Sequence, residues 1–459
     1  MTMRHVAVID IGKTNVKLAL VDLADLSEVA VVTQPNAVRP GPPYPHFDVD
    51  AHWAFLLDNL QRYQSVHGVD AIMIATHGAA AALVDADGAL AAPVIDYEHT
   101  GPDDMAADYD RIRPPFSETG SPRLAMGLNV GAQIHYQFKT VPGLQDATKT
   151  IVTYPQYWAH RLTGIAATDV TSLGCHTDLW NPFEKRFSSL VARLGITGKM
   201  APPRACGDVL GAIRPDIAAR TGLPKTTRVY CGIHDSNASL VPYLLNRSAP
   251  FSVVSTGTWV IAMAVGGRPV TLDPTRDTLV NVDAFGNPVP SARFMGGREH
   301  DLATGGPYRD ATDADIKRVL ENGAMLLPAV VPQIGPFAGK HAKWIGSEPA
   351  IGTVERGICT GFYLALVTAQ CLALIGHRGQ IIVEGPFARN APYLRMLAAA
   401  TGCTVEASES ATGTSQGAAM LVGRAQRTPA PIPNRQPQYT TTNGSMERYA
   451  ERWKTLVTD

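Results

Sequence analysis

Two apolar runs, one at the start of the chain and one in its middle, share a single pattern: strand, short Gly/Thr turn, strand. The first is Val8-Ile9-Asp10-Ile11-Gly12-Lys13-Thr14-Asn15, continuing as Val16-Lys17-Leu18-Ala19-Leu20-Val21. The second is Phe251-Ser252-Val253-Val254-Ser255-Thr256-Gly257-Thr258, continuing as Trp259-Val260-Ile261-Ala262-Met263-Ala264. A third strand is predicted near 28–33. Residues 36–47 hold four prolines and a glycine and read as a loop. Asp50 is the expected N-cap of a helix over 51–66, on which Trp53, Leu56, Leu57, Leu60 and Tyr63 recur at 3–4 spacing along one face. Asp70 to Thr76 reads as a strand and 81–84 as a short one, with a turn at 85–88 and more helices to about 240.

The second half repeats this order. Its hairpin spans 251–265, a later strand lies near 278–283, and a long apolar helix covers about 355–376. A strand follows at Gln380 to Val383, and two helices flank the short strand Thr404 to Glu406. The Pro-, Thr- and Asn-rich stretch 428–445 reads as a surface loop. A final amphipathic helix runs from Met446 to Val457, with Tyr449, Trp453, Leu456 and Val457 on one side. The repeat predicts a duplicated fold of two domains, 1–247 and 248–459.

A length of 459 residues suits two or three domains, and 45% hydrophobic with 18% charged residues suits a soluble chain with an ample core. The net charge of -1 gives no electrostatic case for nucleic acid or an anionic membrane. The N-terminal residues lack the apolar core of a signal peptide. The apolar stretch 361–376 is too short to span a bilayer and reads as a buried helix. The six cysteines form no CxxC pair and read as reduced thiols, which points to the cytoplasm.

The turns carry the first candidate chemistry. Glycine lets backbone N–H groups approach an anion, and threonine adds a hydroxyl donor, so the paired turns suit phosphates. Asp10, at the end of its strand, is placed to hold a hydrated Mg²⁺. A further cluster is Cys231-Gly232-Ile233-His234-Asp235-Ser236-Asn237-Ala238, after the short strand 227–230. A carboxylate there suits proton acceptance from a hydroxyl during phosphoryl transfer. It equally suits the N-cap of the next helix, and the motif alone leaves both readings open.

In this order, the motifs resemble those of the FGGY carbohydrate kinases, within the actin, hexokinase and Hsp70 superfamily. Asp10 to Lys17 is similar to the family's first phosphate motif and Ser255 to Thr258 to its second. Leu162-Thr163-Gly164, Gly207-Asp208-Val209-Leu210-Gly211 and Gly222-Leu223-Pro224 fall in the family's sequence before the Gly-x-x-Asp cluster. Glu384-Gly385-Pro386-Phe387-Ala388-Arg389-Asn390 resembles the adenosine motif, and Gln416-Gly417-Ala418-Ala419 the last one. Gly296-Gly297-Arg298-Glu299-His300 resembles a segment of kinases near the rhamnulokinase and fuculokinase branch.

The resemblance implies two ribonuclease H-like (actin-type ATPase) α/β domains with an interdomain cleft. It implies ATP-dependent transfer of the γ-phosphate to a sugar hydroxyl, with a ketose or deoxyketose as the leading substrate. Asp235 is then the base and Asp10 the Mg²⁺ ligand. Gly12, Lys13, Thr14, Asn15, Lys17, Thr256, Gly257, Thr258, Gly385, Arg389, Asn390 and Gly417 are expected at the nucleotide. His77, Gly78, Tyr97, Glu98, His99, His234 and Ser236 are expected at the sugar. Arg298 is expected either in a structural salt bridge or pointing toward the sugar or a phosphate, and Trp259 in the core. A small-molecule sugar is the expected partner, with no nucleic acid or membrane, and a homodimer is left open.

Three departures bear on the substrate. The family's aromatic-x-Asp becomes Tyr97-Glu98-His99, its adenosine motif begins with Glu384 in place of Gly, and Gln156-Tyr157 replaces its Asp-Tyr. They keep a second reading in view, a degenerate kinase that binds sugar or nucleotide without turnover. Gly413-Thr414-Ser415-Gln416-Gly417 fits a serine-hydrolase elbow, but no histidine follows His377, as that fold requires.

Overall fold

The computed structural model describes residues 3–408, 413–425, 437–440 and 444–458. The chain divides into two compact units. The first comprises residues 1–247, 280–288 and 412–432, and the second residues 248–279, 289–411 and 433–459. Two pieces of the chain's second half thus belong to the first unit, which differs from the expected division into 1–247 and 248–459.

The first unit is built on a sheet ordered Val209–Ala212, Arg228–Tyr230, Ala71–Thr76, His5–Ile11, Asn15–Asp22, Glu28–Pro35. The first three strands of the chain are antiparallel neighbours, and His5–Ile11 pairs in parallel with Ala71–Thr76. The central strands are buried on both faces, so they read as unbroken apolar runs. On one face Ile9, Ile11, Leu18 and Ile74 pack against Leu56, Leu60 and Tyr63 of the helix Val49–Val66. That helix starts earlier than expected, because Asp48, not Asp50, accepts the Ala51 N–H at 3.2 Å. Asp50 sits in the first turn, where a carboxylate favours the helix dipole. On the other face, Val6, Val8 and Met73 pack with Ala238 and Val241 of the helix Asp235–Asn246 and with Ala418 to Val422 of the helix Thr414–Ala425.

The second unit repeats the plan. Its sheet runs Pro288–Phe294, Val260–Val265, Phe251–Thr256, Gln380–Glu384, Val405–Ala407, Gln438–Tyr439. Phe251–Thr256 pairs antiparallel with Val260–Val265 and parallel with Gln380–Glu384, the arrangement found around His5–Ile11. The helix Val354–Leu374 is the one element among the described residues long and apolar enough to cross a membrane, and most of it is buried in this unit's core. The closing helix Gly444–Thr458 buries Tyr449 and Trp453, whose polar tips reach the carbonyls of Ala324 at 2.7 Å and Leu326 at 2.8 Å. Most of the loop expected over 428–445 lies outside the described residues.

Candidate active site

Asp10 lies at the end of the first strand, opposite Lys17 and Ala75. The turn beyond it closes with the Gly12 N–H donating to Asn15 O at 2.9 Å. Asn36 braces it from outside, its side-chain amide donating to Gly12 O at 2.7 Å. Thr14 and Asn15 are exposed. A Cβ on Gly12 would meet nothing nearer than Asn15 O at 3.5 Å, so packing does not demand this glycine. Lys17 donates to Glu28 at 2.8 Å, so its charge is already paired.

The Asp10 carboxylate has no hydrogen-bond partner among the described residues. Burial, and then the Asp235 charge, raise its pKa from 3.8 to about 7. Mg²⁺ keeps several waters and takes one or two carboxylates beside phosphate oxygens. A lone, unpartnered carboxylate fits that demand, and no group of three metal-ligating side chains occurs among the described residues.

The raised pKa has a stability consequence. A carboxyl whose folded pKa exceeds its unfolded one stabilises the fold fully below pH 3.8, and loses that contribution as pH rises through about 7. Asp10→Asn should therefore be more stable than wild type at pH 8 without metal, by on the order of 2–4 kcal/mol, and equal to it near pH 3.5. Thermal melts at the two pH values check this. A difference independent of pH would remove Asp10 as the titrating group.

Lys13, expected at the nucleotide, is already paired within the first unit. Its ammonium pairs with Asp96 and, at 3.1 Å, with Glu98, and lies 5.3 Å and 4.8 Å from the ring centres of Phe47 and Tyr97. The motif reading missed Asp96. It is the buried carboxylate of this segment, whereas Glu98 is exposed. Its position directly before Tyr97 was the available signal. His99 is tied to Tyr136, Nε2 to Oη at 3.1 Å.

His77 is buried among the rings of Phe47, Tyr97 and Tyr154, with centroids 5.0–5.3 Å away. Burial pushes its pKa down to about 4, so the ring is neutral at pH 7. Nδ1 is 2.8 Å from Gly78 O and so carries the proton. Nε2 is then a buried acceptor with no partner. Such a group costs roughly 1–3 kcal/mol until something donates to it.

Asp235 is the first residue of its helix, and His234 occupies the cap position. The carboxylate does not reach forward to cap the helix. Its Oδ1 accepts the Ser236 N–H at 2.6 Å and lies 3.2 Å from His234 Nε2. Oδ2 has no partner among the described residues, so one oxygen is held and the other is available. Gly232, at φ +99, brings this segment against the Ala71–Thr76 strand; a Cβ there would lie 3.0 Å from Ile74 O.

The second unit holds a cavity of about 1020 Å³, lined among others by Gly257, Thr258, Arg298, Phe387, Arg389 and Asn390. A Cβ on Gly257 would meet only Trp259 O, at 3.9 Å. Thr256, by contrast, is buried and structural: its hydroxyl donates to Glu384 O at 2.5 Å and accepts the Phe387 N–H at 3.1 Å. Gly385, at φ +82, has no room for a side chain, since a Cβ would lie 2.0 Å from Thr256 O. Asn390 caps the helix Ala391–Thr401, accepting the Tyr393 N–H at 3.0 Å.

The Gly-Gly-Arg-Glu segment divides its roles. Glu299 accepts from Tyr363 at 2.6 Å inside the core, while Arg298 is exposed on the cavity and has no ion pair among the described residues. Among the described residues no salt bridge forms at Arg298, which leaves it on the cavity side. Trp259 is only half-buried, beneath the Arg293 guanidinium at 4.9 Å. Gly417, expected at the nucleotide, belongs to the first unit, where a Cβ would lie 1.9 Å from Ala238 O.

Two α/β units of like topology, each with a glycine turn between its first two strands, define the actin-type ATPase class. The chain belongs to the FGGY family of carbohydrate kinases: the family's N-terminal domain model matches residues 5–242 and its C-terminal domain model residues 248–431. An L-fuculokinase of Salmonella typhi is 26% identical over 271 residues, a match covering 57% of this chain and 57% of that protein. The crystal structure of a carbohydrate kinase from Novosphingobium aromaticivorans is 37% identical, with a TM-score of 0.90 over 98% of this chain and 100% of that one. A xylulose kinase from Lactobacillus acidophilus shares the fold, with a TM-score of 0.79 at 15% identity over 99% and 97% of the two chains.

Proposed function

We propose that this protein transfers the γ-phosphate of MgATP to a hydroxyl of a neutral sugar. The observation that carries the proposal is Asp235, with Oδ1 accepting from the Ser236 N–H and hydroxyl and lying 3.2 Å from His234 Nε2, and Oδ2 free to take a proton. In the first unit, His77 Nε2 is an acceptor without a partner that suits a sugar hydroxyl, and the half-buried Tyr97 ring beside it gives an apolar face for a sugar ring. In the second, the cavity at Gly257 takes the nucleotide, with Arg298 and Arg389 as available cations. Asp10 would hold hydrated Mg²⁺, which when bound neutralises charge on the transferring phosphate. Asp235 Oδ2 accepts the hydroxyl proton as the new O–P bond forms. Phosphoryl transfer of this kind depends mostly on positioning and charge stabilisation, and the backbone amides of both turns supply part of each.

Charge supports the neutral substrate. The Lys13 ammonium is already shared by Asp96 and Glu98, so a sugar acid would find no unpaired cation there. The likeness to L-fuculokinase favours a ketose or deoxyketose. The test is a coupled ADP-release screen over pentoses, hexoses, their ketoses, polyols and aldonic acids. Turnover of a neutral sugar is expected. Turnover of aldonates alone would overturn the substrate class, and no turnover across the panel would overturn the kinase reading.

The same pairing makes Lys13 and Glu98 acceptor-side groups. Lys13→Met and Glu98→Ala should raise the sugar KM about tenfold and leave the ATP KM within about twofold, because a polar site left unpaired discriminates strongly. A raised ATP KM with an unchanged sugar KM would return Lys13 to the phosphates.

A further inference from the structure

The base does not stand alone. His234 Nε2 lies 3.2 Å from Asp235 Oδ1 and 3.9 Å from Cys175 Sγ. On the far side of the ring, Nδ1 is 3.0 Å from the side-chain amide of Asn237. Against the pull of burial, the Cys175 and Asp235 charges raise the ring's pKa to about 9, so Nε2 carries a proton at pH 7, beside carboxylate and sulfur. The backbone is fixed as well: the His234 N–H donates to Thr171 Oγ1 at 3.0 Å, and the Thr171 hydroxyl in turn donates to Asp169.

This cluster is buried, with Cys175 5% and His234 6% exposed. The titratable groups facing the His234 ring are Cys175, with His176 beside it, Asp169 and His77, together with Asp235 itself. Gly78 takes its meaning from the same cluster, since a Cβ there would lie 2.8 Å from His234 Nε2 and 3.4 Å from Cys175 Sγ. Gly78, expected at the sugar, is thus the residue whose missing side chain makes room for this pair.

We propose that Cys175 and His234 are positioning residues that hold Asp235 for catalysis, Cys175 acting through the His234 ring. The His234 ring, with Nε2 3.2 Å from Oδ1, attracts that oxygen by charge, and the Ser236 N–H and hydroxyl donate to it, so that together they prevent the carboxylate from rotating. Oδ2 is thereby kept for the substrate hydroxyl. Cys175 Sγ lies on the same ring edge and accepts from Nε2, which keeps the proton on that nitrogen. Electrostatics act in the same direction. Burial alone would raise the Cys175 thiol, but the His176 and His234 charges draw it down. Burial alone would lower His234, but Cys175 first and then Asp235 draw it up. No proton leaves this pair during the reaction; the hydroxyl proton goes to Asp235 Oδ2.

The inference rests on Asp235 being the base, so the experiment includes Asp235→Asn as a control. Steady-state kinetics on the sugar found by the screen would compare His234→Leu with His234→Gln, and Cys175→Ala with Cys175→Ser. Leu and Ala should lower kcat roughly tenfold with the ATP KM within about twofold. Gln, which keeps a donor, and Ser, which keeps an acceptor, should recover most of the loss. Wild-type kcat in Cys175→Ala, or no difference between the polar and apolar replacements, would overturn the proposal. An active Asp235→Asn would instead overturn the base assignment. A readout that needs no sugar is the ring-nitrogen NMR spectrum of His234, expected to show Nε2 protonated in wild type and altered in Cys175→Ser. An unprotonated Nε2 in wild type would also overturn the proposal.

Discussion

Asp235→Asn is expected to lower kcat by roughly 10²–10⁴-fold, the range for loss of a general base, with nucleotide and sugar binding retained. The amide matches the carboxylate in shape and still accepts the Ser236 N–H through its oxygen, so the helix that begins at residue 235 keeps its start. What it loses is the acceptor at the Oδ2 position. Binding should survive because neither the His77 ring nor the second-unit cavity depends on this side chain. Calorimetry with ATP and with the sugar, beside steady-state kinetics, separates the two effects. A folded Asp235→Asn protein with near-wild-type turnover would show that the proton goes elsewhere. A second carboxylate lies within electrostatic reach, since the Asp235 charge raises the Asp10 pKa. Asp10 would then be the next residue to test.

The parts of this architecture legible in the sequence are those written in local pattern. The hairpins at 5–22 and 251–265 showed as apolar runs broken by a Gly/Thr turn, and their registers bring Asp10 opposite Lys17 and Thr256 opposite Val260. The core helix Val354–Leu374 was equally plain, because most of its residues are buried and apolar. What the sequence hid depends on distant partners. The direction of Lys13 is decided by Asp96, 83 residues away, and no turn motif encodes that. Asp96 stands directly before the aromatic of the aromatic-x-Asp spacing, so that spacing points past it to Glu98 and His99.

Glycines show the same limit in another form. Gly385 and Gly417 match ligand motifs, yet each is required by a backbone carbonyl pressed against it. A motif records that glycine is needed but not whether a ligand or a neighbouring chain segment needs it. The return of residues 280–288 and 412–432 to the first unit was similarly invisible, since no composition change marks those crossings.

The two turn glycines fall on the other side of that distinction, and this gives the second large effect. Replacing Gly12 or Gly257 with Val should weaken MgATP binding about 10- to 100-fold, or roughly 1.4–2.8 kcal/mol, while sugar binding and thermal stability stay near wild type. Neither glycine has a positive φ, and a Cβ would meet only Asn15 O at 3.5 Å or Trp259 O at 3.9 Å, which are ordinary contacts. The fold therefore tolerates a side chain at both positions. The open space beside each turn is what a phosphate would fill, and a branched side chain would occupy it. Gly257 also lines the second-unit cavity, so its replacement should act on the nucleotide directly. Gly385→Ala serves as the contrast: with φ +82 and Thr256 O at 2.0 Å from the added carbon, it should lose stability before it loses affinity. Calorimetric titration with MgATP, beside thermal melts of all three variants, distinguishes these outcomes. Unchanged nucleotide affinity in both valine variants would reduce the paired turns to hairpin connections. A Gly12→Val protein that melts well below wild type would show that the turn is held more tightly than its neighbours imply.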